Sequence, residues 1–124
     1  AKDIVAIRYA KEVGVPRWAK DPDVMAFEEL RSKYLPTVDP DNTIAYAGYG
    51  QVASMAEILR RCGDDLTRAN VLKQASTLAG FHSPYFLDGI NFSYTPDDYT
   101  PMKTLYISIF NGKDWDISDK PVTE

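Results

Sequence analysis

Apolar residues run almost without interruption at the start of the chain. Ile4–Tyr9 is a short run rich in branched residues, and Gly14 and Pro16 follow it closely. This pattern predicts a strand. Because nearly all of its positions are apolar, we expect the strand to be buried on both faces, as in a parallel sheet with helices on either side.

Alternation of apolar and polar residues predicts further strands toward the end of the chain. Ile90–Tyr94 alternates in this way, and so does Thr104–Phe110, as half-buried strands do. Asn111 and Gly112 then supply the two positive-φ residues of a tight hairpin turn, and Lys113–Ile117 returns as the partner strand.

The first of three predicted helices has clear signals at both ends. Asp21 is a good N-cap, and Pro22 fits the first helical position, where its missing N–H costs nothing. Pro36 stops the helix. The face expected to pack on the core consists of Val24, Phe27, Leu30, Arg31 and Tyr34.

Two more helices are predicted before the β-rich end. The second begins after Asn42 or Thr43, both competent caps, and ends at Gly63. The third follows the cap Thr67 and covers about Arg68–Leu78. The inward face expected for the second helix consists of Ile44, Gly48, Val52, Met55, Leu59 and Cys62, and that of the third consists of Val71, Leu72, Ala75 and Leu78.

Composition and charge exclude several classes of protein. The chain has 124 residues, the length of one domain, and 44% of them are hydrophobic. No apolar run is long enough to span a membrane, and no secretory signal is visible. The net charge is −4 and the only basic pair, Arg60–Arg61, precedes two aspartates, so no nucleic-acid partner is expected. The single cysteine, Cys62, excludes an intrachain disulfide and predicts a buried core thiol.

No motif in the chain predicts catalysis. His82 and Ser83 are adjacent in sequence, but neighbouring side chains generally diverge and no acidic third member is placed beside them. The pairs Asp64–Asp65 and Asp97–Asp98 lie in segments with turn-like composition. The stretch 39–42 lacks the Gly and the distal Glu of a calcium loop. We therefore expect no enzyme, no catalytic residue, no metal site and no cofactor.

Tyrosine is frequent, with eight residues, and two of them begin the second predicted helix. Tyr46 and Tyr49 follow a polar linker there. Tyrosines in this position can line a pocket with an apolar face and a hydroxyl. The alternative, which the residues by themselves favour, is that both are half-buried packing residues.

The helical middle of the chain resembles a known family. Tyr49–Leu59 followed by Arg61–Arg68 is similar to the late helices of type I periplasmic binding proteins, the branched-chain amino-acid type of substrate-binding protein that serves ABC importers. The strand Ile4–Tyr9, the Gly89–Ile90 strand and the Thr95–Tyr99 loop occur in the same order as in that family's C-terminal third. The resemblance covers essentially all 124 residues.

The resemblance implies an α/β fold that contributes strands and helices to both lobes of a two-lobed protein. Residues 1–15 would form a strand of the second lobe and a crossover, residues 16–95 the helices and a strand of the first lobe, and residues 96–124 a crossover and the terminal hairpin of the second lobe. The rest of both lobes would belong to an N-terminal portion outside this chain.

The resemblance also implies a function and one site residue. The chain would be part of a periplasmic solute-binding protein that takes a branched-chain amino acid or an aromatic acid into the cleft and presents itself to an ABC permease. Tyr46, three positions before Tyr49, would contact the ligand side chain. Gly50 stands where many relatives have Ala, and the groups that hold a ligand carboxylate would lie in the N-terminal portion.

Two other functions stay open. One is a ligand-sensing module of a receptor built on the same fold. The other is a fragment with no independent binding activity, which would expose the core surface of the lobes and associate into a homo-oligomer.

Overall fold

The helices lie in the middle of the chain and the strands at its two ends, as the sequence predicts. A computed structural model describes residues 2–123. Their elements are β1 (Ile4–Arg8), α1 (Pro22–Tyr34), α2 (Thr43–Cys62), α3 (Arg68–Ser76), β2 (Thr104–Phe110), β3 (Trp115–Ile117) and β4 (Val122–Thr123), with a short 3₁₀ turn at Pro16–Trp18. The mixed α and β composition is confirmed. We refer to the four strands as the sheet part and to residues 22–94 as the helical part.

The strands form one antiparallel sheet. β2 lies between β1 and β3 and also pairs with β4. The register between β1 and β2 runs from Ile4 opposite Phe110 to Arg8 opposite Tyr106. The prediction of a parallel sheet is therefore wrong, because β1 pairs with a strand that follows the whole helical part and runs in the opposite direction.

The sheet has one covered face and one uncovered face. Because side chains alternate along a strand, Ala6 and Ser108 project from the face that packs on the helical part, and Ser108 is fully buried. The opposite face, which we call the outer face, carries exposed branched side chains: Val5, Ile7, Ile107, Ile109 and Val122. Burial of β1 on both faces was a wrong prediction, since the side chains of Val5 and Ile7 are 65% and 66% exposed.

Local capping explains where the helices begin. The Asp21 carboxylate accepts hydrogen bonds from the backbone N–H groups of Asp23 and Val24, at 3.0 and 3.2 Å. The Asn42 side chain caps α2 in the same way, and Thr67 caps α3. These are the residues that the sequence predicts as caps, and each fills backbone donors that a helix start leaves without partners.

The faces that the helices bury differ from the predicted ones. On α1, Val24, Phe27 and Arg31 are buried as expected, but Leu30 and Tyr34 are exposed. On α2 the prediction is wrong for most positions. The exposed residues of its predicted inward face include Ile44 (82% exposed), Val52, Met55 and Leu59, whereas the buried residues of this helix are Tyr46, Gly50, Ile58 and Cys62.

Contacts with two other segments set the orientation of α2. Phe27 on α1 and Tyr85 in the segment after α3 pack on its Tyr46 side, with ring centroids 5.1 and 5.6 Å from that of Tyr46. Aromatic rings bury large areas and dominate such packing. The aliphatic stripe of α2 is consequently left uncovered by residues 2–123.

The predicted strand Ile90–Tyr94 is not formed. Phe81 and Phe92 exchange backbone hydrogen bonds of 3.0 and 2.7 Å, and Thr95 and Asp98 make a second isolated bridge. Ser93 and Tyr94 donate single backbone hydrogen bonds to Pro101 and Leu78. A strand needs one neighbour along its length, whereas the residues of this stretch bond to several separate segments.

The hairpin between β2 and β3 is confirmed, but its turn is not the predicted one. Phe110 pairs with Trp115, which leaves the four residues 111–114 in the loop. Gly112 has a φ of 103°, whereas Asn111 is not among the residues with positive φ. Instead the Asn111 side-chain oxygen accepts hydrogen bonds from the backbone N–H groups of Lys113 and Asp114 at 3.0 and 2.9 Å, which stabilises the longer loop.

The core consists of two adjoining clusters. One contains Val13, Val24, Phe27 and Tyr46, and the other contains Phe86, Leu87 and Ile90. Trp18 and Tyr85 pack against both clusters, so the core continues from α1 and α2 to the covered face of the sheet.

Candidate ligand cleft

Tyr46, the predicted ligand contact, lies in the core. It is fully buried in the first turns of α2, and its hydroxyl donates a hydrogen bond of 2.6 Å to the carbonyl oxygen of Pro84. Burial raises the pKa of this hydroxyl well above its ordinary value. Tyr46 therefore ties α2 to the segment after α3, and a contact between Tyr46 and a ligand stays a prediction.

Gly50 allows that segment to approach α2 closely. A Cβ atom at this position would lie 2.5 Å from the Cβ of Tyr85 and 2.9 Å from the Ser83 hydroxyl. The same hydroxyl donates a hydrogen bond of 3.3 Å to the Gly50 carbonyl oxygen. The absence of a side chain at residue 50 thus leaves room for Tyr85. The other side of Tyr85 faces the cleft described below.

A buried lysine joins three parts of the chain. The Lys11 side chain is 1% exposed, and its ammonium lies 3.0 Å from a carboxylate oxygen of Asp21, 2.7 Å from one of Asp23 and 3.6 Å from one of Asp88. We call these four residues the Lys11 cluster. Sequence reasoning missed it, since no local signal relates Lys11 to Asp88.

The neighbouring carboxylates keep this lysine protonated. Burial lowers the pKa of Lys11, but the hydrogen bonds from Lys11 to Asp23 and Asp21, together with their charges, outweigh that effect, so the pKa is raised above its ordinary value. Lys11 is therefore charged at neutral pH and forms ion pairs with its carboxylate neighbours. These ion pairs fix the start of α1 against the segment that follows β1.

A cleft of about 370 Å³ lies where the sheet part meets the helical part. β1 and its continuation form one wall, Trp115 of β3 forms a second, and the start of α2 with the segment after α3 forms the third. The side chains that give it chemical character are Arg8, Tyr9, Glu12, Thr43, Tyr85 and Trp115. Its size is in the range of sites for small molecules.

Arg8 is the more exposed of the two cationic residues that line this cleft, the other being the buried Lys11. It is the last residue of β1 and projects from the covered face of the sheet, since it pairs with Tyr106. Its guanidinium carbon lies 5.0 Å from the ring centroid of Trp115, in cation–π contact. Its Nη1 donates a hydrogen bond to Glu12, and the side chains of Arg8 and Glu12 are 17% and 38% exposed.

Tyrosine rings form the apolar wall of the cleft. Tyr9 and Tyr85 meet edge to face, with centroids 6.3 Å apart. Burial raises the pKa of Tyr85, and the two rings offer apolar surface to the cleft. With the cation of Arg8 on one side and these rings on another, the cleft suits a small acid with an apolar body.

Other concave surfaces have less chemical character. A groove of about 380 Å³ on the outer face is lined mainly by apolar side chains, among them Ile7, Leu105, Ile107 and Val122. It lies away from Arg8 and from the aromatic wall, and it forms part of the uncovered surface of the sheet.

His82 and Cys62 lie apart from the cleft, since neither lines it. The Nδ1 atom of His82 is 2.9 Å from the carbonyl oxygen of Ile90, and Cys62 is buried, as predicted. Within residues 2–123 no three His, Cys, Asp or Glu side chains come together in a way that could hold a metal ion. None of the helices in this range has the length and apolarity needed to cross a membrane. The absence of enzymatic activity stays a prediction.

Comparisons of the chain with protein-family models, with curated proteins and with solved structures give no match. A relation to periplasmic binding proteins stays a prediction from the sequence resemblance.

Proposed function

We propose that this chain is the C-terminal part of a two-lobed solute-binding protein of an ABC importer, which binds a small amino acid or an aromatic acid between its lobes. The observation that carries the proposal is the cleft between the sheet part and the helical part. It combines an arginine, two tyrosines and a tryptophan on elements that are distant in sequence.

The path of the chain supports a division into two lobes. After β1 the chain leaves the sheet, builds the whole helical part, and returns through residues 95–103 to β2, which pairs directly with β1. Two connections therefore run between the parts, as in a protein whose lobes rotate about crossover segments. The sheet part would belong to one lobe and the helical part to the other.

The uncovered apolar surfaces support a further portion of the same protein. The outer face carries five exposed branched side chains, and the exposed stripe of α2 carries four more apolar side chains. Monomeric proteins rarely expose continuous patches of this kind. An N-terminal portion that completes both lobes would cover them, and closure of the lobes around the solute would then present one surface to the permease in the periplasm.

A binding screen on the full-length protein that carries this chain tests the proposal. Thermal shift with branched-chain amino acids and aromatic acids, followed by calorimetry on the compounds that raise the melting temperature, should give at least one ligand with one site per protein. A panel without any ligand would refute the proposed function.

The outer face favours self-association as a second candidate behaviour of the 124-residue chain. Its five aliphatic side chains would be covered if two copies met through this surface. Light scattering on the chain and on the double variant Val5→Thr/Ile107→Thr tests whether copies associate through the outer face. Threonine keeps the β propensity of these positions and removes apolar area. Association that this variant abolishes supports the second candidate, and a native chain that stays monomeric at all concentrations contradicts it.

A further inference from the structure

The Arg8 side chain is held in place on two sides. The ring of Trp115 lies 5.0 Å from its guanidinium carbon, and Glu12 accepts a hydrogen bond from its Nη1. Both restraints act before any ligand arrives, which lowers the entropy lost on binding. The pairing of Phe110 with Trp115 places Trp115 on the same face of the sheet as Arg8.

Part of the guanidinium still has donors for a ligand. Arginine carries five N–H donors in a planar fork that matches a carboxylate. Glu12 provides the one hydrogen bond of this guanidinium within residues 2–123, and it engages only Nη1. The Nε and Nη2 edge therefore remains available to a ligand. Arg8 lines the cleft in which that ligand would bind.

We infer that Arg8 anchors the carboxylate of the ligand through its Nε and Nη2 atoms, with Trp115 as the surface that holds the guanidinium and Glu12 as its orienting partner. The aromatic wall of Tyr9 and Tyr85 then receives the apolar body of the same ligand. This inference rests on the proposed function and adds a residue to it, since the resemblance places the carboxylate-binding groups outside this chain.

The charge of Glu12 gives the inference a second, independent consequence. A carboxylate beside Arg8 is also close to the carboxylate of Glu12, and like charges repel. Neutralising Glu12 while keeping its shape should therefore strengthen the binding of an acid. If Glu12 instead bound an ammonium group of the ligand, the same substitution would weaken binding.

Calorimetry on the full-length protein with benzoate and benzamide, and with leucine and leucinamide, tests this assignment. For the acid that binds, Arg8→Gln should lower affinity about 10–100-fold, and Arg8→Lys about tenfold, because lysine keeps the charge and loses the fork. The corresponding amide should bind the native protein and Arg8→Gln equally. Glu12→Gln should raise the affinity for the acid, and Arg68→Gln, an exposed control on α3, should leave it unchanged.

The outcomes separate the two proposals. An acid that binds the native protein and Arg8→Gln with equal affinity overturns the role of Arg8 and leaves the proposed function in place. A loss that is equal for acid and amide also overturns it, because Arg8 would then act on the structure of the cleft. If no compound of the panel of branched-chain amino acids and aromatic acids binds the native protein, both proposals fail.

Discussion

Replacing Lys11 with methionine should destabilise the protein strongly. Methionine keeps the length of the side chain and removes its charge, so Asp21 and Asp23 would face each other without a cation. Breaking a buried ion pair by removing one partner costs about 3–5 kcal/mol. The side chains of Asp23 and Asp88 are 35% and 90% exposed and can be hydrated, so we take the lower end, about 3 kcal/mol.

Urea and thermal unfolding followed by circular dichroism measure this effect. A loss of about 3 kcal/mol corresponds to a fall in melting temperature of roughly 10 °C for a domain of this size. Lys20→Met, at a neighbouring exposed position, serves as the control and should change the melting temperature by less than about 2 °C. If Lys11→Met unfolded at the same temperature as this control, the ion-pair cluster would not contribute to stability.

The contribution of the Lys11 cluster to stability depends on pH. The pKa of Lys11 is raised in the folded protein above its ordinary value of 10.5, so its contribution is complete below that value and is lost as the pH rises through the folded pKa. The difference in stability between the native protein and Lys11→Met should therefore stay constant from neutral pH to about pH 10 and shrink above it. A difference that shrinks already between pH 7 and pH 9 would contradict this account.

Three further substitutions test individual contacts. Gly50→Ala should destabilise the protein by about 1–3 kcal/mol in urea unfolding, because the new Cβ meets Tyr85 at 2.5 Å; an unchanged midpoint would show that the segment moves aside freely. Tyr46→Phe should cost about 1–2 kcal/mol in the same assay, since it removes the donor to a carbonyl oxygen in the core, and a neutral result would contradict that bond. Hydrogen bonds from Thr100 and then from Lys103 lower the pKa of Asp98 to about 2, so the stabilisation is present above pH 3.8 and is lost as the pH falls through about 2; the difference between the melting temperatures of the native protein and Asp98→Asn should shrink below pH 3.8 and vanish only below pH 2.

Helix boundaries could be predicted from the sequence because their determinants are local. Asp21, Asn42 and Thr67 each bond to backbone N–H groups two or three residues away. Such contacts form whatever the rest of the chain does. The strand β2 and its hairpin were predicted for the same reason, since alternation and a turn are properties of a short stretch.

The orientation of these elements could not be predicted in the same way. The apolar stripe of α2 that begins at Ile44 has the spacing of a core-facing surface, yet Phe27 and Tyr85 pack on the opposite side. Likewise the run Ile4–Arg8 has the composition of a strand buried on both faces, whereas its antiparallel partner becomes evident only from the register with β2. Both errors concern contacts between segments distant in sequence.

The cleft was missed for a related reason. Arg8, Tyr85 and Trp115 belong to three segments that carry no shared motif. The pairing of Arg8 with Tyr106 and of Phe110 with Trp115 brings two of them to one face of the sheet, and the missing side chain of Gly50 lets the third approach. The resemblance predicts Tyr46 as the ligand contact instead, and the structure places Tyr46 in the core.

The wrong burial predictions support the proposed two-lobed protein. Burial of one aliphatic side chain contributes about 1.5–3 kcal/mol, so the outer face and the stripe of α2 hold many kcal/mol of stabilisation that residues 2–123 do not use. Both surfaces have the periodicity of buried faces, with a period of two on β1 and β2 and spacings of three and four on α2. Such patterns are typical of surfaces that are covered in the folded protein. The outer face and the stripe of α2 are therefore the surfaces on which the N-terminal portion of the proposed protein would pack.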